Sequence, residues 1–201
     1  MTEIEPEVLR RAQAGDREAH AVLYRAFAPM VYTLARRMLG SAAVAEDVLQ
    51  DCFVEVIRKA AQFRGDGGVP VGLWIRQIAV NKSLSQLRSP WRRRRLELAS
   101  VEPQADERIE PGLRGIDGVC PAAPHSELER ALASLGATAR SVVWLYIVEG
   151  YTHDEIGRLM GRSPSFSKSQ FARACQQLRK ELQTGIDEDG IEPCLNLLKP
   201  V

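Results

Sequence analysis

The 201-residue sequence is poor in the arrangements that make metal sites, disulfide scaffolds or membrane spans. Its four cysteines, Cys52, Cys120, Cys175 and Cys194, are scattered without a C-x-x-C pair. Neither a zinc ribbon nor a disulfide framework is encoded, and the thiols read as reduced and structural. His20, His125 and His153 are isolated, and no carboxylates or His/Cys residues cluster at metal or acid-base spacing. No catalytic residue, metal ligand or cofactor is therefore expected. No apolar run approaches the roughly 18 residues that cross a bilayer. The opening MTEIEPEVLRRAQAGD is acidic and has no apolar core segment, so a cytoplasmic protein without membrane insertion is expected.

A charge excess of one sign is also missing overall, since the formal net charge is +1, but the blocks along the chain are strongly biased. From Glu55 to Arg95 there are ten basic and two acidic residues, from Leu96 to Arg130 three basic and eight acidic, and from Gly150 to Thr184 six basic and three acidic. The end, Gly185 to Val201, is acidic again through Asp187, Glu188, Asp189 and Glu192. Such blocks are either solvated surfaces or footprints of charged partners.

Apolar spacing predicts helices. Ala19, Leu23, Phe27, Val31, Leu34 and Met38 mark one between Asp16 and Gly40, which Pro29 is expected to kink or divide. Gly40 and Ser41 supply a stop and a fresh N-cap. Val48, Leu49, Cys52, Phe53, Val56, Ile57 and Ala60 form the apolar face of the next helix. RGDGGVPVG is too rich in glycine and proline to be helical, after which Leu73, Trp74, Ile75, Ile78, Ala79, Leu84 and Leu87 form another core face. The fold class expected is all-α, with no alternating strand pattern in this first block. Two small helical domains, residues 1–95 and 126–184, are joined by a flexible, proline-bearing linker, 96–125, and followed by a tail of unassigned role, 185–201.

The second block holds a motif. Thr152 is a good N-cap for a helix with Ile156, Leu159 and Met160 inward, Gly161 permits a sharp turn, and Ser163 with Pro164 starts the next helix. That is a helix-turn-helix, whose second helix enters the major groove while basic groups hold phosphates. Ser165, Phe166, Lys168, Ser169 and Ala172 are the groove candidates, Arg162, Arg173 and Arg179 flank them, and Phe171, Ala174, Leu178 and Leu182 face the core. In the first block Arg76, Asn81, Lys82, Ser85 and Arg88, continued by Arg92, Arg93, Arg94 and Arg95, make a positive track suited to phosphate.

With these residues in place, the sequence resembles bacterial sigma-70 family factors of the extracytoplasmic-function type over Asp16 to about Gln183. The resemblance is carried by AEDVLQDCFVEVIRKAAQFRGD, WIRQIAVNKSLSQLR, YTHDEIGRLMG and ARACQQLRKEL. It implies a transcription initiation factor with a region 2 bundle and a region 4 helix-turn-helix. It implies that Asp47, Gln50 and Asp51, on the helix edge away from Phe53 and Val56, grip the clamp helices of the polymerase beta-prime subunit. The track above, with Arg64 in the loop before it, would then open the minus-10 element. The second helix of the motif would read the minus-35 element, and the second block would rest on the beta flap. Core RNA polymerase and promoter DNA are thus the implied partners, and an anti-sigma factor is a further candidate because many such factors are sequestered by one.

A linker of some thirty residues has a relaxed span of ~30 Å and an extended reach of ~100 Å. Promoter elements about two helical turns apart lie roughly 70 Å from each other, so a third body would have to hold the blocks apart. Two stretches depart from the family pattern. RGDGGVPVGLW is about two residues longer than usual and puts Gly67, Gly68, Pro70 and Gly72 where a serine, an aromatic and a basic residue are common. SPSFSKSQ replaces a glycine-threonine-valine-lysine-serine-arginine run, so Ser167 takes an apolar slot and the helix is expected to shift or weaken there. Phe166 either meets a thymine methyl or packs inward. The rival reading is a helix-turn-helix regulator that never binds polymerase, which leaves Asp47, Gln50 and Asp51 idle.

Overall fold

The computed structural model describes residues 4–64, 70–88 and 127–184, and these are helical with no strand among them. The expectations for the linker, the tail, Arg92 to Arg95 and the centre of the glycine loop lie outside the described residues. Two compact units are formed, Met1–Cys120 and Pro121–Val201.

In the first unit α1 (Pro6–Gln13), α2 (Arg17–Leu39), α3 (Ala42–Lys59) and α4 (Val71–Arg88) form a bundle in which α2, α3 and α4 pack on one another. Leu23, Val31, Met38, Leu39, Val48, Val56, Ile75 and Leu84 are almost wholly buried. Each such side chain stabilises the fold by about 1.5–3 kcal/mol. The apolar spacing along α2 corresponds residue by residue to its buried face, and Ser41 accepts from the Val44 amide at 3.4 Å as the N-cap of α3.

Pro29 does not divide α2, which runs unbroken through it. Phe27, Ala28 and Val31 are buried around that turn, and their packing offsets a cost of about 3 kcal/mol for the lost donor. Two residues assigned to core faces are exposed instead: Ile57 is 50% and Leu73 46% accessible. Ile57 follows Gln50 and Val54 at helical spacing, while Leu73 shares a stripe with Gln77 and Asn81, so each sits on the outer side. Ser83 and Gln86 are buried in α4 although polar.

The glycine loop also ends earlier than its composition suggests, because Val71 and Gly72 lie inside α4. A Cβ at Gly72 would stand 2.9 Å from Cε1 of Phe27, so glycine lets the first turn of α4 close on α2. α1 was not expected from apolar spacing, and Gln13 fastens it by donating from Nε2 to the Phe63 carbonyl at 2.5 Å. His20 helps from α2, its Nε2 lying 2.9 Å from the Ala12 carbonyl and serving as donor there.

The second unit contains α5 (Glu127–Ser134), α6 (Ala137–Ile147), α7 (His153–Met160) and α8 (Pro164–Thr184). Ala131, Leu135, Val143, Ala174 and Leu178 make its core, with Phe171 and Leu182 packed alongside. The buried Arg140 guanidinium closes the α5–α6 turn by donating to the carbonyls of Ala133 and Leu135 at 3.0 and 2.6 Å.

Candidate functional site

On α3 the residues Asp47, Gln50, Asp51, Val54 and Ile57 follow the one-three-four spacing of a single face, and all five are exposed. The opposite face is anchored by Val48, Leu49, Cys52, Phe53 and Val56, so the stripe is presented on a rigid support. Val54 is 65% accessible, and with Ile57 it extends the acidic edge into an apolar strip that reading by charge alone misses. An edge of this make-up matches a partner surface bearing cations beside apolar side chains, and it repels phosphate.

Glu55 sits just beside the stripe and behaves differently. Hydrogen bonds from Lys59 and then Arg58, at 2.8 and 2.7 Å, hold its carboxyl down to about 2. Lys82 reaches it from α4 at 3.5 Å. The Lys82 ammonium therefore faces a carboxylate as well as solvent, which weakens it as a phosphate ligand. Cys52 lies beneath, its thiol donating to the Ile75 carbonyl at 3.9 Å, and burial pushes it up to about 12. Such a thiol is inert, in keeping with a structural role.

The α4 track is only partly continuous. Asn81 and Arg88 are exposed and Ser85 half-buried, following one another at i, i+4 and i+7, whereas Arg76 is half-buried and well round the helix from them. The Ser85 hydroxyl donates back to the Lys82 carbonyl at 2.7 Å. Arg64 is exposed just after Phe63, whose ring packs on Trp74 at 4.9 Å. Trp74 is thus half-buried in an aromatic pair. Arg92 and Arg93 lie outside the described residues.

The helix-turn-helix forms as its caps dictate. Thr152 accepts from the Glu155 amide, and the Glu155 carboxylate accepts from the Thr152 amide and hydroxyl, each at 2.8 Å, completing a capping box. These bonds also hold the Glu155 carboxyl below its ordinary range. Gly161 turns the chain with φ of +65°, and Ser163 Oγ accepts from the Phe166 amide at 3.3 Å to start α8. Gly157 is needed for the approach itself. A Cβ there would stand 2.9 Å from the Arg162 carbonyl oxygen and 3.1 Å from Pro164 N.

Along α8 the candidates Ser165, Lys168, Ser169, Ala172 and Arg173 are exposed, while Ala174 and Leu178 face the core. Arg173 leans back to donate from Nε to the Ser169 carbonyl at 3.3 Å. Phe166 is half-buried, with the Arg162 guanidinium 5.7 Å from its ring centre. Both stand at the leading end of the helix, next to the amides of its first turn, where anions are favoured. α8 runs unbroken through Ser167, from Pro164 to Thr184. Ser167 is fully buried, and its hydroxyl lies 3.0 Å from Nδ1 of His153. No metal-binding group of His, Cys, Asp or Glu occurs among the described residues. No helix among the described residues is long and apolar enough to cross a membrane.

Both blocks match known families. Sigma-70 region 2 matches residues 23–93, and Sigma-70, region 4 matches residues 125–178. The chain is 30% identical over 186 residues to the ECF RNA polymerase sigma factor SigM of Mycobacterium tuberculosis, covering 90% of this chain and 87% of the relative. It is 30% identical over 179 residues to the RNA polymerase sigma factor CarQ of Myxococcus xanthus, covering 87% and 95%. Its fold resembles that of the sigma factor RpoE from Bartonella quintana, solved in complex with the anti-sigma factor NepR, with TM-score 0.50 and 21% identity over 84% of this chain and 97% of the other.

Proposed function

We infer the division of labour below for a chain that belongs to the sigma-70 family and to its extracytoplasmic-function branch. It is an alternative sigma factor, which binds core RNA polymerase and directs it to promoters. Residues 1–95 serve as region 2, 96–125 as the linker and 126–184 as region 4. The exposed α3 stripe carries the reading: Asp47, Gln50 and Asp51, continued by Val54 and Ile57, meet the beta-prime clamp helices. Five outward residues of this kind on a helix whose inner face is fully packed are hard to account for as ordinary surface. A regulator that never enters polymerase leaves this stripe without use.

Next to it, Arg64, Asn81, Ser85 and Arg88, with Arg92 and Arg93, hold the parted minus-10 strands. Arg76 and Lys82 take secondary places there, because the first is off the stripe and the second is shared with Glu55. Holding bases out of the stack takes a few kcal/mol, which phosphate contacts and enclosure of the bases offset. On α8, Ser165, Phe166, Lys168 and Ser169 read the minus-35 element while Arg162 and Arg173 hold its phosphates. The exposed Tyr146, Ile147 and Val148 at the end of α6 give the beta flap an apolar seat. These are also the faces an anti-sigma factor would have to cover to keep the chain off polymerase.

The chain works in the cytoplasm, where polymerase is, and it has no catalytic role of its own because polymerase makes the RNA. The test is reconstitution: purified chain with core polymerase, given genomic fragments, should start transcripts at a restricted set that core alone ignores. Identical transcripts with and without the chain would refute the assignment.

A further inference from the structure

We propose that His153 is a positioning residue, which holds the recognition helix through Ser167 and so sharpens the reading of the upstream promoter element. The inference rests on α8 being the helix that reads this element.

His153 opens α7 and Ser167 lies in the first turn of α8, yet Nδ1 and Oγ are 3.0 Å apart. The imidazole lies flat on the Tyr146 ring of α6, with centroids 4.4 Å apart and an interplanar angle of 10°. The Phe171 ring of α8 meets its edge at 5.6 Å and leans on Tyr146 at 4.8 Å. Three helices are thus pinned at one point.

Ser167 brings a hydroxyl into a fully buried place, which costs stability unless it is hydrogen-bonded. His153 supplies the bond, and the Tyr146–Phe171 sandwich fills space around it. The bond also sets a different kind of constraint from packing. Packing tolerates small rotations, whereas a hydrogen bond weakens steeply with angle. Ser167 stands directly between Phe166 and Lys168, so any rotation of α8 at this turn moves the groove-facing residues with it.

Burial first, and then the neighbouring Lys168 cation, lower the His153 pKa, while Asp154 on α7 opposes them. The ring is accordingly neutral near neutral pH. Either tautomer can bond Ser167, the nitrogen donating in one and the hydroxyl in the other.

The test uses the full chain with core polymerase on a promoter library that has a fixed minus-10 element and a randomised upstream element. His153→Ala should lower discrimination between the best and the median upstream sequence by about fivefold, the worth of one ordinary hydrogen bond. Affinity for core should not change. Because the alanine variant could unfold the second unit, His153→Phe serves beside it, keeping the ring stack but losing the bond, with the same loss expected. The paired change His153→Leu with Ser167→Val, which removes both polar atoms and leaves packing alone at this point, should recover stability but not discrimination. A merely structural role predicts the opposite for the ring-preserving variant. Wild-type enrichment from His153→Phe, while Lys168→Ala with Arg173→Ala flattens it, would overturn the positioning role alone. If the Lys168 and Arg173 changes also leave enrichment intact, the reading of α8 falls and this inference with it.

Discussion

α3 and α8 are built on the same plan and present opposite chemistry. Each buries one face in its own unit and leaves the other exposed, but α3 shows Asp47, Asp51, Val54 and Ile57 where α8 shows Ser165, Lys168, Ser169 and Arg173. The folded scaffold therefore does not choose the partner. The outward residues do, and their signs make the two surfaces exclusive, since the first repels phosphate and the second attracts it. The supports differ as well. α3 rests on Val48, Leu49, Cys52, Phe53 and Val56, all apolar, whereas α8 is seated partly by the polar Ser167–His153 contact.

The sharpest way to break this contrast is to give α3 the charge of α8. Changing both Asp47 and Asp51 to Lys places like charges against a basic partner surface, and affinity for core polymerase should fall by about 100-fold or more. The melting temperature should move little, because both residues are exposed and interactions of exposed charges are worth little. A smaller effect is expected from Gly157→Ala. Its Cβ would stand 2.9 Å from backbone that cannot step aside, destabilising the second unit by about 1–3 kcal/mol. Upstream DNA binding should drop with it while core binding through the first unit persists, as calorimetry and footprinting would separate.

Lys168→Ala with Arg173→Ala should weaken upstream binding, flatten its sequence preference through the loss of the groove reader Lys168, and reduce the slope of log affinity against log salt by about 1 for the phosphate contact of Arg173. An unchanged slope would remove Arg173 from the interface. The least effect belongs to Glu55→Gln. An ordinary glutamate titrates near 4.5 and this one near 2, so its ion pairs with Lys59 and Arg58 are intact above the first value and lost as pH falls toward the second. The wild-type first unit should lose stability across that window, and the glutamine variant should be less stable at neutrality but flatter in acid. Parallel acid melts of the two would contradict the pairing.

Much of this was legible in the sequence because caps are local chemistry. Ser41, Thr152, Gly161 and Ser163 each act within a few residues, and each stands where it was expected, while the Glu155 half of the Thr152 box came only with the structure. Burial was less legible, since it depends on what lies opposite. Ile57 and Leu73 are apolar yet outward, and Ser83 and Gln86 are polar yet inward, because periodicity fixes an angle but not the neighbour that meets it. α1 was missed for having little apolar content, although Pro6, Glu7, Arg10 and Arg11 carried the charge and proline signs of a short helix. The His153–Ser167 contact spans 14 residues and two helices, a distance over which no spacing rule speaks.

The central claim, that the two outward faces have separate partners, is tested most directly by titrating labelled chain with core polymerase in the absence of DNA. Wild type and the Lys168/Arg173 double alanine should bind with equal affinity, and only the Asp47/Asp51 double lysine should fail. Equal binding by all three, or a loss confined to the α8 variant, would contradict it.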